Sequence, residues 1–405
     1  MNSTSISAAE IKAALSLAAV FFLRMLPLFM VLPVLALAEN DYHGTTPQLL
    51  GLALGIYGLT QAALQIPFGM LSDKFGRKPI IATGLIIFIL GSLLAAMSES
   101  IYGLILGRAL QGAGAVAAAI MALAADLSSE QHRTKVMAII GVSIGLSFSF
   151  AFVFGPLLFS QIGIRGLFYL GVGLALLAIL TLFLFVPTAE KQQKQNSSPI
   201  NIQNLKSVFA NKQLLKLDIS IFTTHMILMA NFVVIPITLR DFLQIPPTSH
   251  WQIYLGVIFA SLFIMIPFIS FGDRRNKSAL FHNISILLII LSQAGLAFVN
   301  SSLSLIVINL ILFFGAFNYL EALLPSEVSK ATEAQTKGTA LGVYSSSQFI
   351  GIFLGGLIGG LMQQQFGIVG VHVFCLLMAV ICLLINVTIP QNITLAENQL
   401  REEKS

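Results

Sequence analysis

Apolar runs of about 20 residues recur along the whole chain, broken by short stretches where Gly, Pro and charged residues collect. At 1.5 Å of rise per residue, a helical run of that length crosses a hydrocarbon core of roughly 30 Å. Spans are predicted at 13–38, 48–71, 79–98, 101–126, 136–160 and 165–187, and again at 215–239, 251–271, 279–299, 302–325, 338–362 and 367–389. Strands of a membrane barrel would be about 10 residues long and would alternate in polarity. These runs do neither, and a helix then satisfies every backbone N–H and C=O inside its own segment. The predicted fold class is an all-α membrane protein of 12 transmembrane helices.

The polar stretch around AEKQQKQNSSP lies midway along the chain. It divides the prediction into a six-helix bundle at 1–187, a linker at 188–212, a second six-helix bundle at 213–390 and a tail at 391–405. The halves echo each other at offsets of 200 to 202: Ile66-Pro67-Phe68 with Ile266-Pro267-Phe268, Asp73-Lys74 with Asp273-Arg274, Thr134-Lys135 with Thr336-Lys337, and Gly141-Val142 with Gly342-Val343. Parallel six-helix repeats imply a substrate path between the halves and alternating access by rocking.

Composition agrees with the pattern. Hydrophobic residues make up 56% and charged residues 10% of 405 positions, against roughly 25% charged in an ordinary soluble domain. The net charge of +5 does not point to nucleic acid once the charges are placed. With the N-terminus inside, all of the 22 Lys and Arg residues fall on the cytoplasmic side except Arg24, Arg108, Arg165 and Arg240. That bias predicts a multi-pass protein of the cell inner (plasma) membrane with both termini cytoplasmic. The first span is read as retained: it is too long for a signal peptide, carries Arg24 in its middle and lacks a small-residue cleavage site. Cys375 and Cys382 lie in the last span and read as small hydrophobes. No nucleotide-binding loop, metal constellation or nucleophile with a placed base stands out, so no enzyme activity, metal or cofactor is expected, and ATP-driven transport is excluded within this chain.

The loop after span two reads GMLSDKFGRK, residues 69–78. Gly69 and Gly76 permit a tight turn, and Asp73, Lys74, Arg77 and Lys78 supply fixed charge. The string resembles the cytoplasmic signature of the major facilitator superfamily, Gly-x-Leu-x-Asp-x-x-Gly-Arg-Lys. Arg108-Ala109-Leu110-Gln111-Gly112 in span four resembles the Arg-x-x-Gln-Gly motif of its proton-coupled members. With the longer strings at 55–69 and 105–112, the chain looks closest to the YajR-like branch of bacterial drug:proton antiporters. That branch's namesake carries a small cytoplasmic domain after the last helix. Here only residues 391–405 follow span twelve, so no role tied to such a domain is expected. The resemblance implies that Asp73, Arg77 and Asp126 form a charge cluster bracing one half against the other in one access state. The helix-five antiporter motif is only partly present: Gly155-Pro156 survives, while Ala151, Phe159 and Ser160 depart from it. Span eleven carries Gly351, Gly355, Gly356, Gly359 and Gly360 at that spacing, which reads as close helix packing.

A charge near the bilayer centre costs about 3 kcal/mol or more, so an ionisable residue there is a functional candidate. Arg24, Arg108, His225 and Glu321 qualify, and each has the alternative of being a satisfied structural group. Glu321 is the preferred proton carrier, with Arg24 expected as its counter-charge. Tyr57, Gln61 and Gln65 recur at i, i+4, i+8, and Phe314, Asn318 and Glu321 at i, i+4, i+7. Each set forms a stripe on one helix face and, with Gln111, is a candidate lining of the substrate cavity. The leading expectation is a monomeric secondary transporter in the lipid bilayer that exports small hydrophobic or amphipathic molecules against protons. A carrier of a polar metabolite and a non-transporting membrane receptor are the alternatives.

Overall fold

A computed structural model describes residues 6–187, 202–274, 277–298, 302–333 and 336–389. Most of the predicted linker, 188–201, and the tail from 390 lie outside them. In chain order the helices are α1 (Ala8–Met30), α2 (Pro47–Phe75), α3 (Arg77–Met97), α4 (Ile101–Ala113), α5 (Ala117–Asp126), α6 (Arg133–Leu184), α7 (Ile202–Ala210), α8 (Lys212–Ile237), α9 (His250–Arg274), α10 (Ser278–Phe298), α11 (Leu303–Lys330) and α12 (Lys337–Thr388).

The ends follow local chemistry. Ser7 caps α1 in a reciprocal box with Glu10. Thr46 caps α2, where Pro47 fills the first turn without wasting a backbone donor. The α2–α3 turn passes through Gly76 at φ +97°, a conformation that a side chain resists.

Among the described residues, ten helical segments are long and apolar enough to cross a membrane. Two of them, α6 and α12, are 52 residues long. Each changes direction at one glycine, Gly163 (φ 66°, ψ −178°) and Gly367 (φ 68°, ψ −167°), in a region of backbone space open essentially to glycine alone. The legs 133–162, 164–184, 337–366 and 368–388 are each of spanning length, so ten segments with two of them doubled correspond to the twelve expected spans. Span four departs from expectation the other way. It is two helices, α4 and α5, interrupted at residues 114–116, where Gly114 lies so close to α3 that an added Cβ would meet the Gly84 carbonyl oxygen at 2.3 Å. The end of the predicted linker is also helical, as α7.

Two compact units result: residues 1–197 with 245–252, and residues 198–244 with 253–405. Inside the first, α1 packs along α6 and α3 packs on α4 and α6. Inside the second, α8 packs along α12 and α10 packs on α11 and α12, the same pairings one repeat later. Lipid is as apolar as a side chain, so helices in it associate through close contact rather than hydrophobic burial. The glycine stripe of α12 serves that contact. Cβ atoms added at Gly351 and Gly355 would meet the Phe222 and Met226 carbonyl oxygens of α8 at 2.3 and 2.2 Å. On α6, Gly155 approaches the Met30 carbonyl of α1 in the same manner, and the adjoining Pro156 is buried with it. Helix α8 is buried almost throughout, whereas α9 and α10 expose large apolar residues such as Phe263 and Phe298 outward.

Candidate functional site

The signature turn gathers its charges around one guanidinium. Arg77, placed by the Gly76 turn at the start of α3, pairs through Nη1 with Asp73 of α2 and through Nε with Asp126 of α5 at 2.9 Å. Its Nη1 also donates to Ser72 Oγ at 2.8 Å, and Lys78 Nζ donates to the Val186 carbonyl beyond α6 at 2.6 Å. All three members of the Asp73–Arg77–Asp126 cluster are partly exposed. Such pairs are worth roughly 0.2–1 kcal/mol each, enough to bias a conformational equilibrium and too little to hold a bundle together. A residue outside the motif joins this edge of the first unit. Glu10 of α1 accepts from the Ser129 backbone N–H and hydroxyl at 2.9 and 2.8 Å and lies 3.1 Å from His132 Nδ1, tying α1 to the α5–α6 connection.

Deeper in the first unit, Arg24 and Arg108 are fully buried. Arg108 donates to the Ala53 and Leu54 carbonyls of α2 and to Gln111 Oε1, and its guanidinium carbon lies 4.7 Å from the centre of the Tyr57 ring. Gln111 in turn donates to Ser92 Oγ at 2.8 Å. Arg24 donates through Nη2 to Gln61 Oε1 at 3.2 Å and to the Gly114 carbonyl at 3.0 Å. That carbonyl sits where α4 breaks, so the cation faces the negative end of a helix dipole.

In the second unit, Glu321 of α11 meets His225 of α8, with Oε1 3.2 Å from Nε2. Gln348 of α12 approaches both, its Nε2 lying 2.8 Å from His225 Nε2 and 3.5 Å from Glu321 Oε1. His225 Nδ1 lies 3.2 Å from the Ile221 carbonyl, which can only accept, so Nδ1 carries hydrogen and Nε2 faces the carboxyl group. Gln348 Nε2 can only donate, so His225 Nε2 accepts from it while facing the Glu321 carboxyl group. Phe317 packs against the imidazole at 5.3 Å between ring centres.

The sequence profile of the Major Facilitator Superfamily matches residues 17–326. The chain belongs to the major facilitator superfamily. This facilitator is 42% identical to the Inner membrane transport protein YajR of Escherichia coli, over 96% of the chain and 86% of the relative. It is 26% identical to the Quinolone resistance protein NorA of Staphylococcus aureus, over 84% and 87%. Among solved structures, a bacterial homologue of the human lysosomal transporter Spinster, inward-facing and occupied, superimposes with a TM-score of 0.77 at 14% identity, covering 95% and 97% of the two chains. Membership makes the chain a multi-pass secondary transporter of small molecules rather than an enzyme.

Within the facilitator fold the candidate residues sort by what they touch. Tyr57, Gln61 and Gln111 are buried against the two arginines, so the α2 stripe is first of all their hydrogen-bonding and stacking surface. Gln65 Oε1 is buried without a partner among the described residues. Asn318 donates to Ser261 of α9 at 3.1 Å, and Phe314 is packed against Phe313 and Phe317. Inside its own unit Arg24 meets Gln61 and the Gly114 carbonyl, and Glu321 meets His225 and Gln348. Gln348 was not singled out from sequence, although the polar run Ser345-Ser346-Ser347-Gln348 inside an otherwise apolar span was there to find it.

Proposed function

We propose that this facilitator exports small hydrophobic or amphipathic compounds in exchange for protons, as a monomer in the inner membrane with both termini in the cytoplasm. The carrying observation is the His225–Glu321 contact, an ionisable pair on two membrane-spanning helices with Oε1 3.2 Å from Nε2. Coupling needs a group whose proton exchanges with one side in one access state and with the other side in the other. The similarity to a protein named for quinolone resistance supports efflux of amphipathic compounds. Asp73, Arg77 and Asp126 act in this reading as contacts that favour one access state.

Glu321→Gln tests it. Purified protein is reconstituted in liposomes and a pH gradient is imposed across a panel of fluorescent amphipathic compounds of either charge. The variant is expected to lose gradient-driven transport by at least tenfold while still binding compound. Gradient-driven transport at the wild-type rate with an unchanged pH profile removes Glu321 as the coupling residue.

A further inference from the structure

The two buried arginines of the first unit look alike in sequence and differ in how their donors are used. A guanidinium offers five N–H donors and accepts nothing. In Arg108 each nitrogen reaches an acceptor: Nε the Ala53 carbonyl at 3.2 Å, Nη1 Gln111 Oε1 at 2.7 Å and Nη2 the Leu54 carbonyl at 3.5 Å. In Arg24 only Nη2 is so engaged, with Gln61 Oε1 and the Gly114 carbonyl. Its Nη1 meets the Met25 thioether, a weak acceptor, at 3.3 Å. Arg24 Nε and Gln61 Nε2 are both buried and have no hydrogen-bond partner among the described residues. None of the ion pairs among those residues includes Arg24.

A buried cation whose donors lack acceptors is unfavourable unless something supplies the acceptors. Gln61 is joined to Arg24 by a hydrogen bond and brings a further N–H, so the two side chains together present a cationic fork and an amide donor. Two parallel acceptors on one planar anionic group fit that fork better than a spherical ion does. The immediate surroundings are apolar, with Met25 against the guanidinium and the Phe88 ring centre 6.0 Å from its carbon.

We propose that Arg24 and Gln61 form the carboxylate-binding element of the transport site, so that the substrates include amphipathic molecules carrying a carboxylate. This rests on the reading of the chain as an exporter of amphipathic compounds and narrows their chemistry. Arg108 is then a structural cation and Arg24 the recognising one.

The experiment compares 2-naphthoate with the neutral isostere 2-naphthamide on full-length protein in detergent at neutral pH. Thermal unfolding is read by a thiol-reactive dye reporting on the buried Cys375 and Cys382. Naphthoate is expected to raise the Tm in a saturable manner and naphthamide is not. Gln61→Glu keeps the shape and places a carboxylate on Arg24 from within the chain, so the Kd for naphthoate is expected to weaken at least tenfold. Arg24→Lys keeps the charge but not the fork and is expected to bind severalfold more weakly; it decides the matter should the first variant fail to fold. Equal response to naphthoate and naphthamide, an equal shift from chloride at the same concentration, or wild-type naphthoate binding by the folded variants overturns the proposal. The two readings fail separately: no naphthoate shift in the wild-type protein while other amphipathic compounds are still exported down a pH gradient overturns this site alone, whereas a naphthoate shift without gradient-driven transport overturns the coupling scheme alone.

Discussion

At Arg77 one guanidinium reaches two carboxylates on different helices, the cluster proposed above to favour one access state. Asp73 lies one helical turn before Arg77 across the Gly76 bend, a spacing legible in the sequence, but Asp126 joins them only because α5 ends beside the turn. Asp73→Asn removes one of the two ion pairs and Arg77→Ala removes both. At roughly 0.2–1 kcal/mol per exposed pair, the access-state equilibrium moves by up to about fivefold per pair. Reconstituted Asp73→Asn is expected to transport about two- to fivefold more slowly and Arg77→Ala more slowly still, with Tm and helix content unchanged. Wild-type rates in both would reduce the cluster to a topological charge. The same scale separates Arg24 from Arg108. Both were legible as intramembrane charges, yet which of them keeps unused donors depends on the carbonyls that neighbouring helices happen to offer.

At the level of elements, glycine decides both where helices bend and how near they come. The glycines of the two long helices are of two kinds. Gly355 abuts the α8 backbone, where an added Cβ would meet the Met226 carbonyl oxygen at 2.2 Å, and a carbonyl in a helix cannot step aside. Gly141 of α6 has no atom within 4 Å of such a Cβ. Gly355→Ala is therefore expected to destabilise by about 1–3 kcal/mol or more through overpacking. Gly141→Ala is expected to be neutral or to stabilise by up to about 1 kcal/mol, because alanine is the better helix former. Dye-based melting in detergent distinguishes them: a lowered Tm for the first and an unchanged or raised one for the second. Equal shifts would mean that the α8–α12 approach is looser than described. Helix lengths were readable from the apolar runs, but the continuity of α6 and α12 through a bend was not, since a glycine between two spans reads equally well as a loop.

On the scale of the whole molecule, the repeat visible as short matches near an offset of 200 reappears as matching helix pairings in the two units. The charge bias makes a further commitment about sidedness. Asn40 lies exposed between α1 and α2, and Lys206 lies exposed on α7 between the two sets of spans. Both native cysteines are buried and should contribute little background. In intact cells, a membrane-impermeant maleimide is expected to label Asn40→Cys but not Lys206→Cys, and opening the membrane is expected to reveal the second. Labelling of both from one side would refute the twelve-span topology with cytoplasmic termini.

The amino-acid pattern alone pointed to the apolar spans, the internal repeat, the resemblance to the superfamily and the charges within the spans, while the break in span four and the continuity of α6 and α12 came only with the structure. The features it pointed to are consequences of local sequence: an apolar run must become a helix in lipid, and a charge within one is visible wherever it lies. Partnership was decided by tertiary structure. Glu321 meets His225 and Gln348 because α8, α11 and α12 come together at that level of the second unit. Arg24 keeps free donors because the carbonyl offered by the break in α4 satisfies only part of its guanidinium. Hydrogen bonds and ion pairs act over about 3 Å, and residues that approach so closely are brought there by helix packing, which separation along the chain does not encode.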